Sequence, residues 1–131
     1  MKKIILYISI IMLNSLFFSC KTTQKEDIVV PATASAGVSV KHHGILVQNC
    51  DVYLKLNTNG FIGYDYKLYD KTLATDTLAH VTFENLPIGT HHIMVLGFDR
   101  TINDDVLGQK EIKISRIDQK IEIDVAVSEV H

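Results

Sequence analysis

The chain has 131 residues, 47% hydrophobic and 21% charged, with 7 Gly, 2 Pro, 2 Cys and a formal net charge of −2. That is room for one small domain, and the values exclude a disordered chain, a collagen-like repeat and a disulfide-dense scaffold. No cluster of Lys and Arg offsets the acidity, and removing residues 1–19 takes Lys2 and Lys3 away, so no nucleic-acid partner is expected.

Met1-Lys2-Lys3 and the apolar run from Ile4 to Phe18 have the charged and hydrophobic regions of a secretory signal. At about 1.5 Å per residue the run spans only about 22 Å, short of the roughly 30 Å hydrocarbon core, and Asn14 and Ser15 interrupt it. It is a poor membrane span. The segment Leu16-Phe17-Phe18-Ser19-Cys20, with a small residue just before the cysteine, resembles the lipobox of bacterial lipoproteins. The resemblance implies cleavage before Cys20 and acylation of its thiol and its freed amine. Each buried methylene contributes about 0.8 kcal/mol, so several acyl chains would make the lipid bilayer a lasting partner. Residues 21–36 carry small and polar side chains without an apolar period and read as a tether. Within it, Lys25-Glu26-Asp27 faintly resembles surface-export signals of Bacteroidetes-type lipoproteins, although a solvated charge cluster is the simpler account. The expected organisation is a signal at 1–19, lipidated Cys20 and tether to residue 36, and one β domain over 37–131.

From Gly37 the apolar pattern has period two, and no window of adequate length shows helical spacing with capping signals. Val38 and Val40 begin a strand, His43-Gly44 turns it, and Ile45 to Val47 lead into a strand from Cys50 to Leu56. The stretch from Phe61 to Asp76 is expected as a long loop with a short strand inside. His80 to Glu84 makes the next strand, and Asn85-Leu86-Pro87-Ile88-Gly89 turns it, Pro fixing one torsion and Gly permitting a positive one. A hairpin register with His91 to Phe98 would put Val81 opposite Ile93 and Phe83 opposite His91, leaving His92, Met94 and Leu96 on the reverse face. After a loop from Asp99 to Gly108 come Gln109 to Ile114 and Lys120 to Val127, the last with Ile121, Ile123, Val125 and Val127 on one face. About seven short strands at such spacing predict an all-β, antiparallel two-sheet β-sandwich of Greek-key type.

The segment from Thr75 to Val95, centred on Phe83-Glu84-Asn85-Leu86-Pro87-Ile88-Gly89-Thr90, resembles the second half of a carboxypeptidase-regulatory-like, transthyretin-type (prealbumin-like) domain. Asn49-Cys50-Asp51-Val52-Tyr53-Leu54 matches an earlier strand of that family, with Cys50 where a small residue is usual. Together with the lipobox, the chain resembles small Bacteroidetes-type lipoproteins carrying a single such domain, over residues 37 to 127. The turn residues Phe83, Asn85, Leu86, Pro87 and Gly89 carry that resemblance and speak to fold rather than activity. His91 stands where the family often has Tyr, and Leu78-Ala79 replaces a Gly-containing turn. Surface B-type repeats of the collagen-adhesin class share the turn, but no Lys, Asn and acidic trio for their internal bond can be assigned.

Of the six histidines, His42-His43 and His91-His92 are adjacent pairs, which on a strand point to opposite faces and so make poor metal sites. His80 and His92 come close diagonally in the expected hairpin and are the candidate zinc or copper ligands, against a simpler account of solvated histidines with His91 partly buried. Asp99, Asn103, Asp104 and Asp105 miss the spacing of a calcium loop. Phe61, Tyr64, Tyr66 and Tyr69 offer an aromatic surface for a glycan or protein, and equally could cover the core edge. No Gly-x-Ser-x-Gly, phosphate loop, Cys-x-x-Cys or His-Glu-x-x-His is present, and Cys50 beside a histidine is the sole hydrolase reading. The expected function is therefore a non-enzymatic, lipid-anchored structural or protein-interaction module of the bacterial envelope, in the outer membrane and without a cofactor. The face of His92, Met94 and Leu96 is a second expected docking surface for an envelope or extracellular protein. A glycan- or ligand-binding module and a small hydrolase stand as alternatives.

Overall fold

The structure is a computed structural model that describes residues 27–131. The signal region, Cys20 and residues 21–26 of the expected tether lie outside the described residues. Among the described residues eight strands follow one another: β1 (Ala34–His42), β2 (Ile45–Leu46), β3 (Asp51–Lys55), β4 (Lys71–Ala74), β5 (His80–Leu86), β6 (Gly89–Asp99), β7 (Asp104–Ile114) and β8 (Lys120–Glu129). A 3₁₀ turn, Tyr66–Leu68, lies in the long loop before β4. Among the described residues no helix is long and apolar enough to cross a membrane.

The fold is all-β, as the period-two pattern predicts. The ladder runs β2-β1-β8-β7-β6-β3-β4, with β5 on β1. Its two layers are joined rather than separate. Residues 120–126 of β8 pair with β1, while Val127, Ser128 and Glu129 pair with β7, so one strand serves both layers and the mixed sheet curls on itself. Val38, Val40, Phe83, Leu86 and Val125 on one side meet Val52, Leu54, Ile93, Val95 and Ile114 on the other in a single buried cluster.

Four sequence expectations need correction. The β1–β8 pair is parallel, with Val38 level with Ile123 and Val40 with Val125, because the two strands come from nearly opposite ends of the chain and need no tight turn between them. The β domain begins at Ala34, not Gly37: Ala34 and Ala36 are wholly buried, so small residues that read as tether are core positions. β7 begins at Asp104, since its ladder with β6 pairs every residue from Gly89 to Asp99 with one from Ile114 to Asp104.

The fourth concerns the turn from Asn85 to Gly89, which is an arch between layers and not a hairpin. β5 pairs with β1, and β6 lies between β3 and β7. Asn85 at φ 56° and Gly89 at φ 147° turn the chain through the angle this needs. His91, fully buried, braces the arch from inside. Its Nδ1 accepts the Asn57 N–H at 3.0 Å, so Nε2 carries the proton and donates to the Pro87 carbonyl at 2.8 Å.

Candidate functional site

The outer face of β6 and its neighbour β3 is where Tyr53, Phe61, Tyr64, Tyr66 and Tyr69 gather. Alternation sends Ile93 and Val95 to the core and His92, Met94 and Leu96 outward, with Tyr53 of β3 and Gln109 of β7 level with Met94. This face is not open. Met94 is wholly buried and His92 is 5% exposed. The 57–70 loop folds back over it, bringing Phe61 within 5.5 Å of the His92 ring and both Tyr66 and Tyr69 within 6.0 Å of Tyr53. The expected docking face is thus taken at His92 and Met94 by the chain's own loop, which gains more apolar contact there than in water, while Leu96 is half-buried.

Several bonds hold the loop. Asp70 accepts the Leu56 N–H at 2.8 Å and the Lys55 ammonium at 3.1 Å, and the backbone bond, helped by Lys55, keeps its carboxyl below the usual carboxylate range. Asp65 caps the 3₁₀ turn through the Lys67 N–H at 3.0 Å, and the Tyr69 hydroxyl donates to the Gly63 carbonyl at 2.8 Å. Burial pushes the Tyr53 and Tyr69 phenols up. Tyr69 therefore supports the loop, while Tyr64, 48% exposed, and Tyr66, 54% exposed, remain outside it. Phe61 packs against Tyr64 at 4.7 Å between ring centroids, and Leu68 of the same loop is exposed. The result is an aromatic surface mounted on a braced loop.

Other sequence-selected residues are dispersed. His80, level with Ser39 of β1, bonds Glu122 at 3.0 Å, whereas His92 lies level with Lys55 and Glu111 and bonds Gln109 at 2.7 Å. The pair expected as metal ligands therefore sits on strands that do not adjoin. Cys50 is buried against Gly97, and its thiol lies 3.5 Å and 3.8 Å from the Val47 and Gln48 carbonyls, not beside a histidine. Burial pushes that thiol up to about 11, with Asp51 and Asp99 adding to the shift, so it is no thiolate nucleophile at neutral pH.

Sequence reasoning missed the opposite end of the domain. There Asp99, expected in an open acidic loop, is 7% exposed, accepts the Thr101 N–H at 2.8 Å and pairs with Nδ1 of His42 at 2.8 Å. Nε2 of His42 lies 3.4 Å from Glu129, whose other oxygen is 3.9 Å from Nε2 of His43. The Asp99 bond, joined by Glu129, holds His42 above the ordinary imidazole value against the opposing effect of burial. Asp99 is held low mainly by the Thr101 N–H and Glu129 mainly by its own backbone N–H, with His42 acting on both. No sequence signal announces this group, because its members come from the ends of β1, β6 and β8.

No family model matches the chain, and no curated protein matches it. Among solved structures, the major pilin subunit BcpA of Bacillus cereus is similar over 76% of this chain and 31% of its own, with a TM-score of 0.53 and 14% identity. This chain thus spans less than a third of that pilin subunit. A candidate carbohydrate-binding protein of Pseudomonas aeruginosa is similar over 73% of this chain and 89% of its own, with a TM-score of 0.52 and 12% identity. At these identities the likeness shows the fold that the three chains share.

Proposed function

We propose that the protein is a lipid-anchored, non-enzymatic module of the bacterial envelope, held through acylated Cys20, whose β domain serves as a structural or protein-interaction unit. The observation that carries this reading is the braced aromatic surface of Phe61, Tyr64 and Tyr66. Rings fixed by their own scaffold bind a partner with little ordering cost, as interface anchors do. The lipobox resemblance and the pilin neighbour, itself a subunit of an assembly, support the same reading. The Cys50 thiol, the one nucleophile weighed for a hydrolase, lies against backbone carbonyls and is held protonated by burial, which takes away that alternative's residue. A photo-crosslinker in place of Tyr64 should capture a protein partner in intact cells, with capture lost on Tyr66→Ala.

Glycan binding is the second reading, favoured by the exposed rings and by the carbohydrate-binding description of the Pseudomonas aeruginosa neighbour. Glycan-array binding that disappears with Tyr64→Ala, without protein crosslinks, would select it. The anchor has its own test. Cys20→Ala should move the protein from the detergent to the aqueous phase, and wild type already in the aqueous phase would overturn lipidation. Protease shaving of intact cells then tells which side of the proposed outer membrane the domain faces.

A further inference from the structure

We propose that His42, His43 and Glu129 form a zinc site at the end of the domain where β1 and β8 finish together, with the fourth position left to water. Adjacent histidines on a regular strand diverge. Here the strand stops between them: His43 takes φ 48° in the turn before Gly44, and the two imidazoles come to lie with centroids 4.3 Å apart. The parallel register that levels Lys41 with Ala126 carries Glu129 to the same end.

The donor atoms of the three residues all lie within 4.8 Å of one another. Zinc bonds of about 2.0–2.1 Å in a tetrahedron require donors about 3.3 Å apart. His42 and Glu129, at 3.4 Å, already meet this, and His43, 78% exposed on a turn, has the freedom to close the remainder.

His42 itself supplies the independent sign of a ligand. Its side chain is 3% exposed, and Nε2 makes no well-formed hydrogen bond, facing only the Glu129 carboxylate at 3.4 Å across the space a metal would fill. Its other nitrogen is committed to Asp99, which the Thr101 N–H holds in turn. A carboxylate on one imidazole nitrogen that aims the other at a metal is the usual support of a histidine ligand. Two imidazoles and one carboxylate suit a borderline divalent ion such as zinc, and are wrong for calcium or magnesium, which take oxygen donors.

The test uses the protein purified in detergent without a polyhistidine tag, stripped with a chelator and titrated with zinc chloride by calorimetry in a non-coordinating buffer. One zinc per chain is expected, with affinity falling at least tenfold in His43→Ala and in Glu129→Gln. Asp99→Asn, which alters a positioning residue, should lose about 10–100-fold and change the visible spectrum of the cobalt-loaded protein. His80→Ala should bind as wild type does. His43 is exposed, so its replacement leaves the fold intact. Absence of zinc binding by wild type, or unchanged affinity in His43→Ala, would overturn the site and leave a histidine–carboxylate ion-pair cluster.

Discussion

Cys50 and Gly97 solve a packing problem between β3 and β6. A Cβ at position 97 would overlap the Cys50 sulfur and crowd its Cβ at 3.1 Å, so a glycine faces the unusual cysteine. Overpacking of this kind costs about 1–3 kcal/mol, which is the destabilisation expected for Gly97→Ala in urea unfolding. Adding Cys50→Ala should recover much of that loss, and simple additivity of the two changes would show that they are not coupled. The raised thiol value carries a second expectation: iodoacetamide should modify Cys50 slowly in the native chain at neutral pH and readily in denaturant. The burial of Cys50 was readable from its residue type, whereas its glycine partner was not, since nothing local connects positions so far apart.

The arch from Asn85 to Gly89 and the loop after β3 are coupled elements. His91 joins them, receiving the Asn57 N–H and donating to Pro87. His91→Phe keeps much of the volume but takes the partner from the Asn57 N–H and the Pro87 carbonyl, both only part-buried, so each loss costs less than the about 1–3 kcal/mol of a fully buried group and a moderate fall in the urea midpoint is expected. Asp70 makes the same loop sensitive to acid. Its folded pKa is lowered, so its contribution is complete above the ordinary carboxylate range and is lost as pH falls through the lowered value. The protection factor of the Leu56 amide, which already allows for the intrinsic pH dependence of exchange, should therefore fall in acid, and Asp70→Asn should remove most of that fall. Phe61, Tyr64, Tyr66 and Tyr69 were legible as an aromatic cluster, but their division into supporting and exposed rings depends on which hydroxyl the folded loop encloses, that of Tyr69 on the Gly63 carbonyl.

At the scale of the whole molecule, β8 is the strand on which both layers depend. It pairs with β1 along residues 120–126 and with β7 at residues 127–129. A chain truncated after Ala126 retains the first ladder and loses the second, so its unfolding should move to lower urea and broaden. A truncated chain with the wild-type transition would show that the layers are held by core contact alone. The β1–β8 pairing joins distant parts of the sequence, and the loop-closure entropy it demands places the domain among slow-folding β topologies.

The alternation of Val38 with Val40, of Val52 with Leu54 and of Val125 with Val127 determined by itself that the chain is all-β and which faces are buried, because that period is a property of the strand. The Asn-Leu-Pro-x-Gly segment likewise determined a sharp change of direction between β5 and β6. Strand partners were beyond it. An alternating strand presents the same edge to any neighbour, and only the competition among all eight assigned β5 to β1, β6 to β3 and β7, and β8 in parallel to β1. The tertiary structure for the same reason covered Met94, separated His80 from His92, and brought His42, His43, Asp99 and Glu129 to one end. Those are meetings between strand ends remote in sequence, and their positions follow from sheet order and register rather than from any local spacing of residues.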